Sequence, residues 1–181
     1  MTMKVAAALR LKNDYNLQLI ALKHRIMSNL VVEEGQEPDE SPKKLIALYH
    51  QVSQNYQALV TKINLHNSST TVEYPSYHDN YKSGHLIGDL FSNDLPPDLV
   101  SKEKYIVQAL VERESLKAEI QTFKSILDRS KVSRSSTRDI LKVAVLDVQQ
   151  LQKKIDTMAK FLRIMDAKIQ EHNWLQDLKE I

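Results

Sequence analysis

Residues 147–174 read DVQQLQKKIDTMAKFLRIMDAKIQEHNW, and this stretch decides the fold. Its apolar residues recur at alternating spacings of three and four, which places them on one face of a long helix. They are Val148, Leu151, Ile155, Met158, Leu162, Met165 and Ile169. Asp147 is suited to cap the first turn, and Gln150 completes a capping-box pattern. Because one helix cannot bury such a face by itself, the stretch predicts partner helices.

Three further long helices follow from the same kind of periodicity. They are predicted at residues 3–30, 42–65 and 102–128. Ser41 precedes the second of these helices as a cap, and Pro42 occupies the favoured first position. Three glycines in 181 residues also favour helices over a sandwich or barrel with many tight turns.

These patterns predict an all-α fold, an antiparallel bundle of about four long helices with coiled-coil-like seams. We expect one helical domain over residues 1–181, with an irregular loop or insertion at about 67–101. Alternating apolar residues at 139–146 indicate a short strand, and residues 30–34 are its expected partner in a small two-stranded β-ribbon. Leu11, Leu17 and Ile20 widen the apolar surface of the first helix, so we expect it to touch more than one neighbour.

The composition limits the cellular location and the classes of partner that we expect. The chain has no cysteine, which excludes disulfides, thiolate catalysis and cysteine metal sites. The formal net charge of +2 gives no global attraction to nucleic acid or to an acidic membrane. The apolar patch at residues 5–9 is too short for a signal peptide, and no stretch approaches the length of a membrane span. We therefore expect a cytoplasmic protein with no nucleic-acid partner and no membrane partner.

The sequence contains no recognisable catalytic pattern. The six histidines lack the HExxH spacing, and neither a GxSxG elbow nor a glycine-rich phosphate loop occurs. His78, Asp79 and His85 lie close together in the predicted loop, but a metal site needs three or four converging ligands. We expect no enzyme activity, no cofactor and no metal.

Polar residues cluster near the predicted ends of the second and last helices, and two interpretations are open. They cap helix ends, whose terminal carbonyls and amides lack intrahelical partners, with Trp174 as a packing anchor. Alternatively they form a patch for a ligand or a neighbouring subunit, because a tryptophan ring buries area while its N–H seeks an acceptor. The candidate residues are Asn64, Asn67, Gln170, Glu171, Asn173 and Trp174.

Four stretches also carry a family resemblance. They are VVEEGQEP at 31–38, KINLHN at 62–67, RESLKAEI at 113–120 and KIQEHNWLQDL at 168–178. On these stretches the chain resembles the septicolysin-like family of small bacterial helical proteins, over most of its length except about 68–99. The resemblance implies a helical protein of unestablished biochemical role and no catalytic residues.

Three functions are open at this point. The preferred hypothesis is a cytoplasmic, non-enzymatic helical scaffold or interaction protein that forms a homo-oligomer, since long apolar seams suit helix pairing. It leaves room for an unidentified protein partner. A second hypothesis, a membrane-active haemolysin-like protein, rests on the family name, with residues 84–91 and 139–146 as short apolar candidates. A third is a small-ligand binder or enzyme that uses the 67–101 loop as a lid.

Overall fold

The computed structural model describes residues 3–82, 99–130 and 147–178. These ranges are mainly helical with one small antiparallel sheet, so the predicted fold class is confirmed. In chain order the elements are α1 Val5–Ser28, α2 Pro42–Ser69, β1 Thr71–Pro75, α3 Tyr77–Lys82, β2 Ser101–Tyr105, α4 Ile106–Ser130 and α5 Val148–Leu175.

The chain forms two compact units. The first unit contains α1, α2 and the end of the chain from His172 onward. The second unit contains residues Thr70–Glu171, and therefore the two strands, α3, α4 and most of α5.

In the first unit, α1 and α2 pack antiparallel. Val5 near the start of α1 shares a buried cluster with Ile63 near the end of α2. Leu22, near the end of α1, meets Leu45 in the first turn of α2. Pro42 is the first residue of α2, as predicted, and the helix extends about one turn beyond its predicted end.

In the second unit, the apolar face of α5 is buried against α4 of the same chain. Met158 and Phe161 are fully buried in a cluster with Leu116 of α4. Phe161 takes an inward position that the heptad pattern assigns to Leu162, which is only partly buried. The reason is that a straight helix of 3.6 residues per turn drifts relative to a strict 3.5-residue repeat.

The N-terminal cap of α5 predicted at Asp147 is present. The carboxylate of Asp147 accepts hydrogen bonds from the backbone amides of Gln149 and Gln150, at 2.9 and 3.0 Å. Two of the amide groups that have no intrahelical acceptor are thereby satisfied.

The two-stranded ribbon exists, but its predicted location is wrong. β1 pairs antiparallel with β2, with Thr71 opposite Tyr105. Val72 and Tyr74 of β1 are buried in a cluster with Met165 of α5. Residues 30–34 form no strand, and residues 139–146 lie outside the described residues.

The two strands also lie inside two regions that were predicted differently: the helix at 102–128 and the loop at 67–101. Residues 101–105 belong to β2, so the helix predicted at 102–128 begins at Ile106 and runs to Ser130. The region predicted as an irregular loop at 67–101 includes the end of α2, all of β1 and α3, while residues 83–98 lie outside the described residues. Pairing with β1 outweighs the local helix preference of Lys102, Glu103 and Lys104.

Candidate functional site

Over residues 13–28, one face of α1 is exposed and lacks Lys, Arg, Asp and Glu. Leu17, Ile20 and Met27 lie on it and are 56%, 47% and 61% exposed. At about 100° per residue, these positions share one arc of the helix, bordered by Asp14 and Lys23. We name it the uncharged face, and its residues, all exposed, are Asn13, Asn16, Leu17, Ile20, Ala21, His24, Met27 and Ser28.

The other side of α1 makes the contacts that hold the first unit together. Ala8 and Leu22 are buried against α2, and Leu11 and Tyr15 are partly buried beside them. An amphipathic helix normally turns charged and polar residues toward water. In α1 an apolar stripe faces outward instead, so the helix has more apolar surface than α2 covers.

The loop after α1 extends this apolar surface. Residues 30–32, Leu-Val-Val, are all exposed, and Val31 is 86% exposed. Two contacts hold the loop to the helix: Glu40 donates its backbone N–H to the side chain of Asn29 at 2.9 Å, and its carboxylate pairs with Arg25. Gly35 lies at φ +89°, a left-handed conformation that suits glycine.

The predicted polar patch is divided between the two units. Asn64 is exposed and Asn67 half-buried on α2, while Asn173 is buried and Trp174 is 54% exposed at the end of α5. These four residues belong to the first unit. At the end of α2, Ser68 and Ser69 donate to backbone carbonyls instead of the asparagines.

The remaining two patch residues belong to the second unit. Gln170 and Glu171 are exposed, and Glu171 pairs with Lys168 at 2.9 Å. Within the described ranges, no side-chain hydrogen bond or ion pair joins any two of the six predicted residues.

Trp174 is covered on one face by a cation. The guanidinium carbon of Arg10 lies 5.2 Å from the centre of the indole ring, a cation–π contact. Lys4 donates to the carbonyl of Leu175 at 2.9 Å and pairs with Asp177 at 3.0 Å. The start of α1 therefore holds the end of the chain through charged groups as well as apolar ones.

Two buried histidines meet at this end of the first unit. The Nε2 atoms of His66 and His172 are 3.2 Å apart, and the side chains are 1% and 9% exposed. Sequence reasoning did not find this pair, because the two positions are 106 residues apart and no local pattern links them. Burial, followed by the neighbouring His66, lowers the pKa of His172.

In the second unit, Glu112 of α4 is the centre of a polar network. Its carboxylate accepts hydrogen bonds from Tyr74 at 2.8 Å, from Lys104 at 2.9 Å and from Ser76. Lys104 also pairs with Asp79 at 2.8 Å. Burial opposes ionisation of Glu112, but these hydrogen bonds outweigh it and lower its pKa.

A surface groove of about 400 Å³ lies beside this network. Its lining residues are His78, Val107, Gln108, Val111, Glu112 and Ser115. The metal ligands considered from the sequence do not converge there, because His78 faces Glu119 at 3.8 Å and Asp79 is held by lysines. His85 lies outside the described residues, and no cluster suited to hold a metal is found in the part that is described. None of the described helices is long and apolar enough to cross a membrane.

The fold and this surface define a mainly helical protein of two compact units, one of which presents an uncharged face. Residues 12–88 and 93–178 match the Family of unknown function (DUF6847), and the chain belongs to this family. The resemblance to the septicolysin-like family is therefore wrong. It rested on four short stretches within helices, at helix ends and in the loop after α1, and their residue types recur in many helical proteins.

A solved structure is similar to the whole chain. It is a functionally unknown conserved protein from Corynebacterium diphtheriae, 23% identical, with a TM-score of 0.75. The similarity covers 99% of this chain and 100% of that chain, and it concerns the fold alone. No curated protein matches the sequence.

Proposed function

We propose that this is a cytoplasmic, non-enzymatic helical interaction protein that self-associates through the uncharged face of α1. The exposure of Leu17, Ile20 and Met27 along that face is the observation that carries the proposal. Exposed apolar surface without charge is typical of interface cores, which are depleted in charged residues.

The size of the surface supports a second copy of the chain as the occupant. Residues 30–32 extend the uncharged face, and the six large apolar side chains are each more than 40% exposed. Exposing roughly 100 Å² each, they approach the upper part of the ~300–600 Å² range for the largest apolar patch of a monomer. A stable interface takes about 800 Å² from each partner, which this patch and its polar rim can supply.

The composition of the face favours pairing with itself. A two-fold interface places the same patch on both partners, so a face with charges of one sign would repel its copy. The uncharged face has none, and Asp14 and Lys23 supply opposite charges at its two borders. The seam of α5 is already buried against α4, whereas Leu17, Ile20 and Met27 of α1 are exposed along one face.

Two adjacent substitutions on α1 test the interface. Leu17→Glu places a charge inside the uncharged face, whereas Gln18→Glu adds the same charge one residue away, outside it. We expect Leu17→Glu to reduce the self-association constant at least tenfold and Gln18→Glu to leave it unchanged, as measured by analytical ultracentrifugation. Equal behaviour of the two variants, with unchanged helical circular dichroism, would contradict the proposal.

Because the chain has no cysteine, a single introduced cysteine can be cross-linked selectively to test the proposed interface. A single Ala21→Cys substitution lies on the uncharged face, and Gln18→Cys is its control. We expect a short bifunctional maleimide to link Ala21→Cys chains into dimers much faster than Gln18→Cys chains. Fractionation of the source cells tests the proposed cytoplasmic location separately.

A haemolysin-like activity is not part of the proposal, because the resemblance that suggested it is wrong. Its apolar candidates, residues 84–91 and 139–146, lie outside the described residues. The 67–101 lid hypothesis is not part of the proposal either, because among residues 67–82 and 99–101 His78 alone lines the groove described above.

A further inference from the structure

The His66–His172 pair joins two segments that are far apart in the chain. His66 lies on the last turns of α2, and His172 lies at the end of α5. Their ring centroids are 5.5 Å apart with the Nε2 atoms facing each other at 3.2 Å. In a neutral pair one Nε2 donates its hydrogen and the other accepts it, so the contact needs complementary tautomers.

The pair secures the end of the chain on the first unit. Next to it, the backbone N–H of Val5 donates to Gln176 at 3.1 Å, and that of Leu178 donates to Met3 at 2.7 Å. Leu178 is buried in the same cluster as Val5 and Ile63. The contacts of Lys4 and Arg10 with the same segment lie at the surface, so the histidine contact is its buried polar attachment among the described side chains.

Protonation changes this contact in a defined way. A proton added to the accepting Nε2 leaves two N–H groups facing each other at 3.2 Å, so the hydrogen bond is lost. The added charge also lies where both side chains are buried, and an unpaired buried charge is costly. Both effects act against the attached state of the chain end.

We propose that the His66–His172 pair is an acid-sensitive latch, whose protonation releases residues 172–178 from the hairpin of α1 and α2.

The charges around the pair do not cancel this effect. Lys4, Arg10 and Asp177 make charged contacts at this end of the first unit, and the charged residues nearest to the pair along α2 and α5 are Lys62 and Glu171. Lys4 pairs with Asp177, Arg10 covers Trp174 and Glu171 pairs with Lys168. Burial and then His66 are what lower the pKa of His172.

The direction of the pH effect follows from the lowered pKa of His172. The attached state favours the neutral ring, whereas the released ring takes up a proton near its ordinary pKa of 6.5. The contribution of the pair is therefore complete above pH 6.5. It falls as the pH drops below 6.5 toward the pKa of the attached state.

The single tryptophan of the chain reports the release. Trp174 follows His172 by two residues and is partly covered by Arg10. In the full chain we expect a reversible red shift of its emission between about pH 6.5 and 5, with far-ultraviolet circular dichroism nearly unchanged. No shift in this range would overturn the latch.

Matched glutamine variants assign the shift to the pair. In His66→Gln or His172→Gln, the amide offers both a donor and an acceptor, so the contact tolerates either state of the remaining histidine. We expect both variants to lose at least half of the acid-induced shift, and the exposed control His24→Gln to retain it. A full shift in both pair variants would overturn the proposal.

A measurement on the unmodified chain covers the case in which these variants fail to fold. Nuclear magnetic resonance follows the ring protons of each histidine through the same titration. We expect the ring of His172 to titrate below the ordinary pKa of histidine, at the pH of the tryptophan shift, and the ring protons of His66 to change at the same pH. Independent titration of the two rings near pH 6.5 would contradict the latch.

Discussion

At the scale of single residues, Glu112 shows how a charged group is held where β1, β2 and α4 meet. Only 14% of its side chain is exposed, and three donors approach its carboxylate. The hydroxyl of Tyr74 depends on that carboxylate, and burial followed by the Glu112 hydrogen bond raises the pKa of Tyr74. A change at Glu112 therefore leaves several buried polar groups without their acceptor.

We predict that Glu112→Gln lowers the free energy of unfolding by about 1–3 kcal/mol, because the amide nitrogen cannot accept a hydrogen bond. Urea denaturation followed by circular dichroism measures it. Glu119→Gln on the same helix is the control, since the one ion pair of Glu119 among the described residues is a long contact with His78, at 3.8 Å. An equal loss in both variants would show that Glu112 has no special part in holding the ribbon.

The same network makes a pH prediction. Hydrogen bonding to Lys104 is the main cause that lowers the pKa of Asp79, and the pKa of Glu112 is also lowered. Their stabilising contribution is present above their ordinary pKa values of 3.8 and 4.5 and is lost as the pH falls through the lower folded-state values. We expect Glu112→Gln to flatten the decrease of melting temperature below pH 4.5, compared with the unmodified chain.

At the scale of elements, the long helices could be predicted and the short strands could not. A helix of 24 to 28 residues repeats its apolar pattern many times. The pattern therefore identifies α1, α2 and α5 even though single positions depart from it. Each strand has five residues, and β2 reads SKEKY, with no apolar alternation. Its position is set by its pairing with β1, a contact between residues about 30 apart that no local pattern encodes.

The cap of α5 gives a prediction at this scale. Asp147→Ala removes the acceptor for two backbone amides and should cost about 1 kcal/mol of stability. Gln149→Ala is the matched control, because its exposed side chain lies in the same turn and the cap bond uses only its backbone. Thermal unfolding measures the loss of stability in both variants. A smaller loss in Asp147→Ala than in Gln149→Ala would argue against the cap.

At the scale of the whole molecule, the sequence predicts how much apolar surface exists but not which part is left exposed. The heptad pattern of α5 suits pairing between chains as well as pairing within one chain. In the structure, Leu116 and Ile120 of α4 pack against it, so the pairing is within the chain. The sequence already indicates extra apolar surface on α1 at Leu17 and Ile20. The structure shows in addition that both side chains are exposed. The candidate patch at the chain ends follows from residue type, whereas the His66–His172 contact depends on the fold.

The measurement that decides whether the uncharged face is an interface is the absolute mass of the chain in solution over a range of concentrations. Size-exclusion chromatography with light scattering gives it. We predict a discrete oligomer for the unmodified chain, with a mass that is a whole multiple of 20.8 kDa, and a shift to the single-chain mass for Leu17→Glu. A mass of one chain at every concentration would contradict self-association.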